Sequence, residues 1–130
     1  MREKFLDALD AEFLPDGYHW RLLKPVYLYD QKLEAITVPA RFETDLGSIP
    51  RIFWNVLPPI GPASLAFVVH DYLYATQTCP RSDADGVLFR AMKATGTHWA
   101  AVWLIYLGVR VGGWYAWKED FKKYGLHRRR

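Results

Sequence analysis

Residues 99 to 117, WAAVWLIYLGVRVGGWYAW, run for nineteen residues with a single charge, and this stretch narrows the choice of folds furthest. A helix needs roughly 20 apolar residues to cross a bilayer, so the segment is either a membrane span or a helix laid against a protein core. Arg110 near its middle, followed by Gly112 and Gly113, argues for the core, because a central Arg costs about 2.5–3.5 kcal/mol inside a membrane. The expectation is a buried central helix, with membrane insertion or association as the less favoured reading. Arg110 then needs an internal partner.

The rest of the chain is long enough to provide one. At 130 residues, 51% hydrophobic and 16% aromatic, it can bury a core without cross-links. Its single cysteine, Cys79, has no second cysteine to pair with inside the chain. The expected organisation is one globular domain over 1–118 and a basic tail over 119–130. The terminal KKYGLHRRR carries five Lys and Arg against a formal net charge of +3, so the remainder is close to neutral and a nucleic-acid partner is not expected. The first residues mix charged and apolar types and are not expected to form a secretory signal.

Local patterns divide the chain in two. Phe5, Leu6 and Leu9 predict a short amphipathic helix over the first dozen residues, ended by PDG at 15–17. Two runs rich in β-branched and aromatic residues, 20–29 and 33–42, flank the turn signal YDQK and predict two or three short antiparallel strands, with Pro25 and Pro39 confined to edges or ends. PRIFWNVL predicts a short helix stopped by Pro58 and Pro59. A longer one follows over 62–76, with Pro62 in its first turn. Ser82 is the expected N-cap of a third helix that Gly96 terminates, and the last helix starts near Thr97 and runs to about Trp117. The fold class is α+β, a small N-terminal antiparallel sheet packed on a C-terminal bundle of three to four helices.

FVVHDYLY, residues 67–74, places His70 and Asp71 side by side in an otherwise apolar helix. Burying a polar group without a partner costs about 2–7 kcal/mol, and a charge costs more. Both therefore need partners from other elements. They are displaced by about 100° around the helix, and Tyr74 lies one turn beyond His70. Asp85 shares a face with Leu88, Phe89 and Met92 and is the inward acid of its helix, unless it serves with Ser82 as a capping box. Arg110 wants a carboxylate, and Asp45, Asp71 and Asp85 are the candidates. TDLGSIPR, residues 44–51, has Gly47, Ser48 and Pro50 suited to a turn entering a helix, flanked by Asp45 and Arg51. The expectation is that these segments meet in one pocket.

VPARFETDLGSIPRIFW, AFVVHDYLY, SDADGVLF and YLGVRVGG occur in that order and resemble a family of small bacteriophage and prophage proteins of uncharacterised activity. Its pattern is T-D-x-x-S-x-P, H-D-x-L-Y, an acid early in a helix, and V-R-x-x-G. The resemblance extends from Val38 to Gly113 and implies that Asp45, Ser48, Pro50, Arg51, His70, Asp71, Tyr74, Asp85 and Arg110 are signature positions. It implies a phage-encoded protein in the host cytoplasm or the virion, with a phage or host protein as partner. The favoured expectation is an accessory component, for the virion, tail assembly or host interaction, whose polar cluster is a structural network or a binding site. One alternative is a metal-dependent hydrolase. His70, Asp71 and Asp85 or Asp45 would hold a divalent transition metal, with Arg51 or Arg110 gripping an anionic substrate. Its usual further upstream histidine has only His19 as candidate. A metal-free variant would use His70 as base and Ser48 as nucleophile. The second alternative is a membrane- or lysis-associated protein.

Overall fold

The structure, a computed structural model, describes residues 4–5, 9–17, 19–45 and 63–128. It has the expected α+β class: antiparallel strands come first and helices follow. The strands are β1 (Lys4–Phe5), β2 (Ala11–Phe13), β3 (Trp20–Leu22), β4 (Val26–Asp30), β5 (Glu34–Val38) and β6 (Glu43–Thr44); the helices are α1 (Ser64–Thr76), α2 (Arg81–Ala94) and α3 (Trp99–Arg128). In place of one small sheet, the described residues form two of three strands, ordered β1-β4-β5 and β2-β3-β6. Pro25 lies between β3 and β4, so the first expected strand is divided between the two sheets.

Among the described residues of the first dozen, strands stand where a helix was expected. Lys4 and Phe5 pair with Tyr29 and Leu28 of β4, and Ala11–Phe13 pairs with β3 from Leu22 back to Trp20. A helix that short is marginal in water even with good propensity, whereas each strand segment gains a ladder partner. The segment PRIFWNVL lies outside the described residues.

β4 and β5 form a hairpin in register from Val26↔Val38 to Asp30↔Glu34. Alternation turns Val26, Leu28, Ile36 and Val38 into the core and leaves Tyr27 and Thr37 exposed. Asp30 is on the inward row, and its Oδ2 accepts the backbone N–H groups of Lys32 and Leu33 at 2.9 and 3.0 Å, shaping the turn. Against this sheet lie α1 and α2, whose Ala66, Val69, Leu73, Leu88 and Ala91 complete the core.

Helix ends follow local chemistry with one correction. Gln77 takes a left-handed conformation and its N–H closes α1 on the Leu73 carbonyl at 2.8 Å. Gly96, at φ +82°, follows α2 as expected. Ser82 is not the N-cap of α2: the helix starts two residues earlier than that cap would allow, at Arg81 behind Pro80, and no side chain caps it. Asp85 is thereby free of a capping duty.

α3 departs furthest from expectation. It continues past Trp117 to Arg128, and it is not central: it packs on α1 and α2 with one side and exposes the other. Val102, Val109 and Trp117 face inward, while Leu104, Leu107, Val111 and Trp114 are exposed. Among the described residues no helix is long and apolar enough to cross a membrane.

Candidate functional site

α1, α2 and α3 meet around one carboxylate. Asp85 sits one turn into α2 and is completely buried. Its Oδ1 lies 2.9 Å from His70 Nε2 and accepts the Tyr74 hydroxyl at 2.7 Å; its Oδ2 accepts Arg110 Nη1 at 2.8 Å and Arg81 Nη1 at 3.3 Å. His70 and Tyr74 come from one face of α1 because they are four residues apart, and Arg81 reaches Asp85 across one turn of α2 for the same reason. Arg110 arrives from α3.

Burial works against an ionised Asp85, but the hydrogen bonds from His70 and Tyr74, and that of Arg110, outweigh it and hold the carboxyl below its usual range. With a carboxylate opposite, His70 Nε2 is the protonated, donating nitrogen. The same surroundings push the Tyr74 hydroxyl upward: burial comes first, then its hydrogen bond to Asp85. Arg81 also donates to two backbone carbonyls of α3, from Nη1 to Val109 at 2.9 Å and from Nη2 to Arg110 at 3.2 Å. The guanidinium thus ties the start of α2 to the middle of α3.

That close approach needs Gly113. A Cβ there would stand 2.5 Å from the Tyr74 hydroxyl and 3.1 Å from Arg81 Nη1. The second fastening is Gln77, which donates from Nε2 to the Trp117 carbonyl at 2.7 Å. Tyr74 and Trp117 meet edge to face at 5.1 Å between centroids.

Asp71 belongs to a different group. It accepts a hydrogen bond from Thr44 Oγ1 at the end of β6 and stands beside Asp45. Burial, and then the Asp45 charge, push its carboxyl well above the usual range, and Asp120 of α3 adds to the repulsion. The expected single pocket is therefore two groups sharing α1. Consecutive helical residues point about 100° apart, so His70 and Asp71 face different neighbours.

Of the expected residues, the structure joins His70, Tyr74, Asp85 and Arg110 in one group and Asp45 with Asp71 in the other. Ser48, Pro50 and Arg51 lie outside the described residues. His19 is elsewhere, with its Nδ1 2.7 Å from Asp16 Oδ2 in the turn after β2. Among the described residues no three His, Cys, Asp or Glu side chains converge as a metal ion would require.

Sequence reasoning missed Arg81, Thr44 and a further buried pair. Asp30 is fully buried, and Arg90 of α2 grips it with both arms, Nε to Oδ1 at 2.9 Å and Nη2 to Oδ2 at 3.0 Å. Burial opposes its ionisation, but Arg90 and the Leu33 and Lys32 amides bring its carboxyl below the usual range. Lys32 Nζ extends the lock to Asp83 at 2.6 Å. Two signals were available: Arg81 stands four residues before Asp85, and Asp30 shares a period-two row with Val26 and Leu28.

Among known families, the model described as protein of unknown function (DUF1353) fits residues 20–109. The match runs from β3 into the middle of α3, covering both arginine-held carboxylates. Neither the curated proteins nor the solved structures contain a match. The chain belongs to the DUF1353 family.

Proposed function

We propose that this DUF1353 chain is a phage-encoded accessory protein, a virion, tail-assembly or host-interaction component that works by binding a phage or host protein, and that the Asp85 cluster is its structural network. The observation that carries this reading is the saturation of Asp85: both oxygens are occupied, by four side chains from three helices. Among the described residues no buried side-chain nitrogen or oxygen lacks a partner. A network satisfied in this way specifies how helices pack, and it needs no substrate to account for its residues. The ordered T-D-x-x-S-x-P, H-D-x-L-Y and V-R-x-x-G motifs support the phage assignment.

Metal analysis of the purified protein combined with denaturant unfolding tests the network. Breaking a buried ion pair costs about 3–5 kcal/mol, so Asp85→Ala is expected to lose stability on that scale while no stoichiometric transition metal is found. A stoichiometric metal that His70→Ala removes would overturn the reading in favour of a metal-dependent hydrolase. Quantitative mass spectrometry of purified particles separates a virion component from a protein that stays in the host cytoplasm.

A further inference from the structure

We infer that the outward face of α3 is the interface of an antiparallel homodimer, in which a second copy lays its own α3 along Leu104, Leu107, Val111 and Trp114. These positions step by three, four and three residues and are all exposed, with Val111 at 78%. Alternating steps of three and four form the seam by which one helix receives another. The opposite side of α3 is already packed on α1 and α2. The seam is thus a second apolar face on one helix.

Its size fits a copy of the chain. Eight large apolar side chains of α3 are exposed, including Trp99 at 72% and Tyr115 at 61%. Their uncovered area is on the order of 1,000 Å², taking about 150–250 Å² for each whole aromatic side chain. The largest patch on a typical monomer is about 300–600 Å², and a stable interface takes about 800 Å² from each partner.

The pattern also matches itself when reversed. In an antiparallel pair centred on position 109, Trp103 stands opposite Tyr115, Leu104 opposite Trp114 and Leu107 opposite Val111, so large apolar groups meet across the central stretch from 103 to 115. Charge selects the same direction. Beyond Trp117 the chain carries six Lys and Arg against Glu119 and Asp120. Parallel helices would bring these two basic ends together, whereas antiparallel ones hold them apart by much of a helix of about 45 Å, well beyond the screening length of about 8–10 Å.

An anionic lipid surface is the competing occupant. A helix lying on a membrane borders its apolar arc with basic side chains. Between residues 99 and 117 the one charge of α3 is Arg110, and it turns inward to Asp85. The second copy is the better fit.

Sedimentation equilibrium of the full chain at micromolar concentration tests the inference. The wild type is expected to be a dimer, and Leu107→Glu with Val111→Glu to weaken it by about a hundredfold or more through burial of unpaired carboxylates. Circular dichroism checks that the variant keeps its helices, since both positions are exposed in the single chain. In a Cys79→Ser background, a mixture of Leu107→Cys and Val111→Cys chains is expected to oxidise to the mixed disulfide. Homodisulfides from each chain alone would overturn the antiparallel arrangement. A wild type that stays monomeric overturns the dimer, and a monomer that co-sediments with phosphatidylglycerol vesicles assigns the face to lipid instead.

Discussion

Two aspartates, the half-buried Asp71 on α1 and the fully buried Asp85 on α2, sit in opposite electrostatic environments. Asp85 has two guanidiniums, a hydroxyl and an imidazole around it, so the fold favours its charged form. Its stabilising contribution is present above the unfolded carboxyl pKa near 3.8 and is lost as pH falls through the lower folded value. Asp30, held by Arg90, behaves in the same way. Asp71, beside Asp45, is the reverse: the folded chain holds its proton to higher pH than the unfolded chain, so stability declines as pH rises from about 3.8 toward the raised value. Asp71→Asn keeps an acceptor for Thr44 and removes the repulsion. Its melting temperature is expected to exceed that of the wild type near neutral pH, with the advantage closing below the ordinary carboxylate range, as thermal melts across pH will read.

At the scale of elements, the helices are positioned by backbone approach as well as by side-chain pairing. Gly113 lets α3 come close to Tyr74 and Arg81, while a Cβ at Gly112 would meet nothing within 4 Å. Gly113→Ala is therefore expected to push Tyr74 off Asp85 and cost about 1–3 kcal/mol by overpacking. Gly112→Ala is expected to gain up to about 1 kcal/mol from helix propensity alone. Urea unfolding of the two neighbours separates close approach from propensity. The β4–β5 hairpin is fastened to α2 by Arg90, so Arg90→Ala strands a buried Asp30 and is expected to cost about 3 kcal/mol. The same titration measures that loss.

For the whole molecule, the two sheets, α1 and α2 form one body, and α3 is held to it by the Asp85 cluster, Gln77 and a strip of aromatic contacts. Native-state hydrogen exchange is expected to show the slowest amides in α1, α2 and the β4–β5 ladder, where burial is most complete. Much of this was legible in the residues. Period-two alternation marked the hairpin, helical spacing marked α1 and α2, and Arg110 on an otherwise apolar helix announced a buried carboxylate partner. Local pattern carries these because it records which faces of an element avoid water. The N-terminal strands were not legible, since Phe5, Leu6 and Leu9 suit a helix equally well and only pairing with β4 and β3 decides. Nor was the division of His70 from Asp71, or the choice of Asp85 over Asp45 for Arg110, or the use of just one side of α3. Each depends on which distant segment arrives at a given face, and sequence spacing fixes directions along one element without fixing the neighbour that meets them.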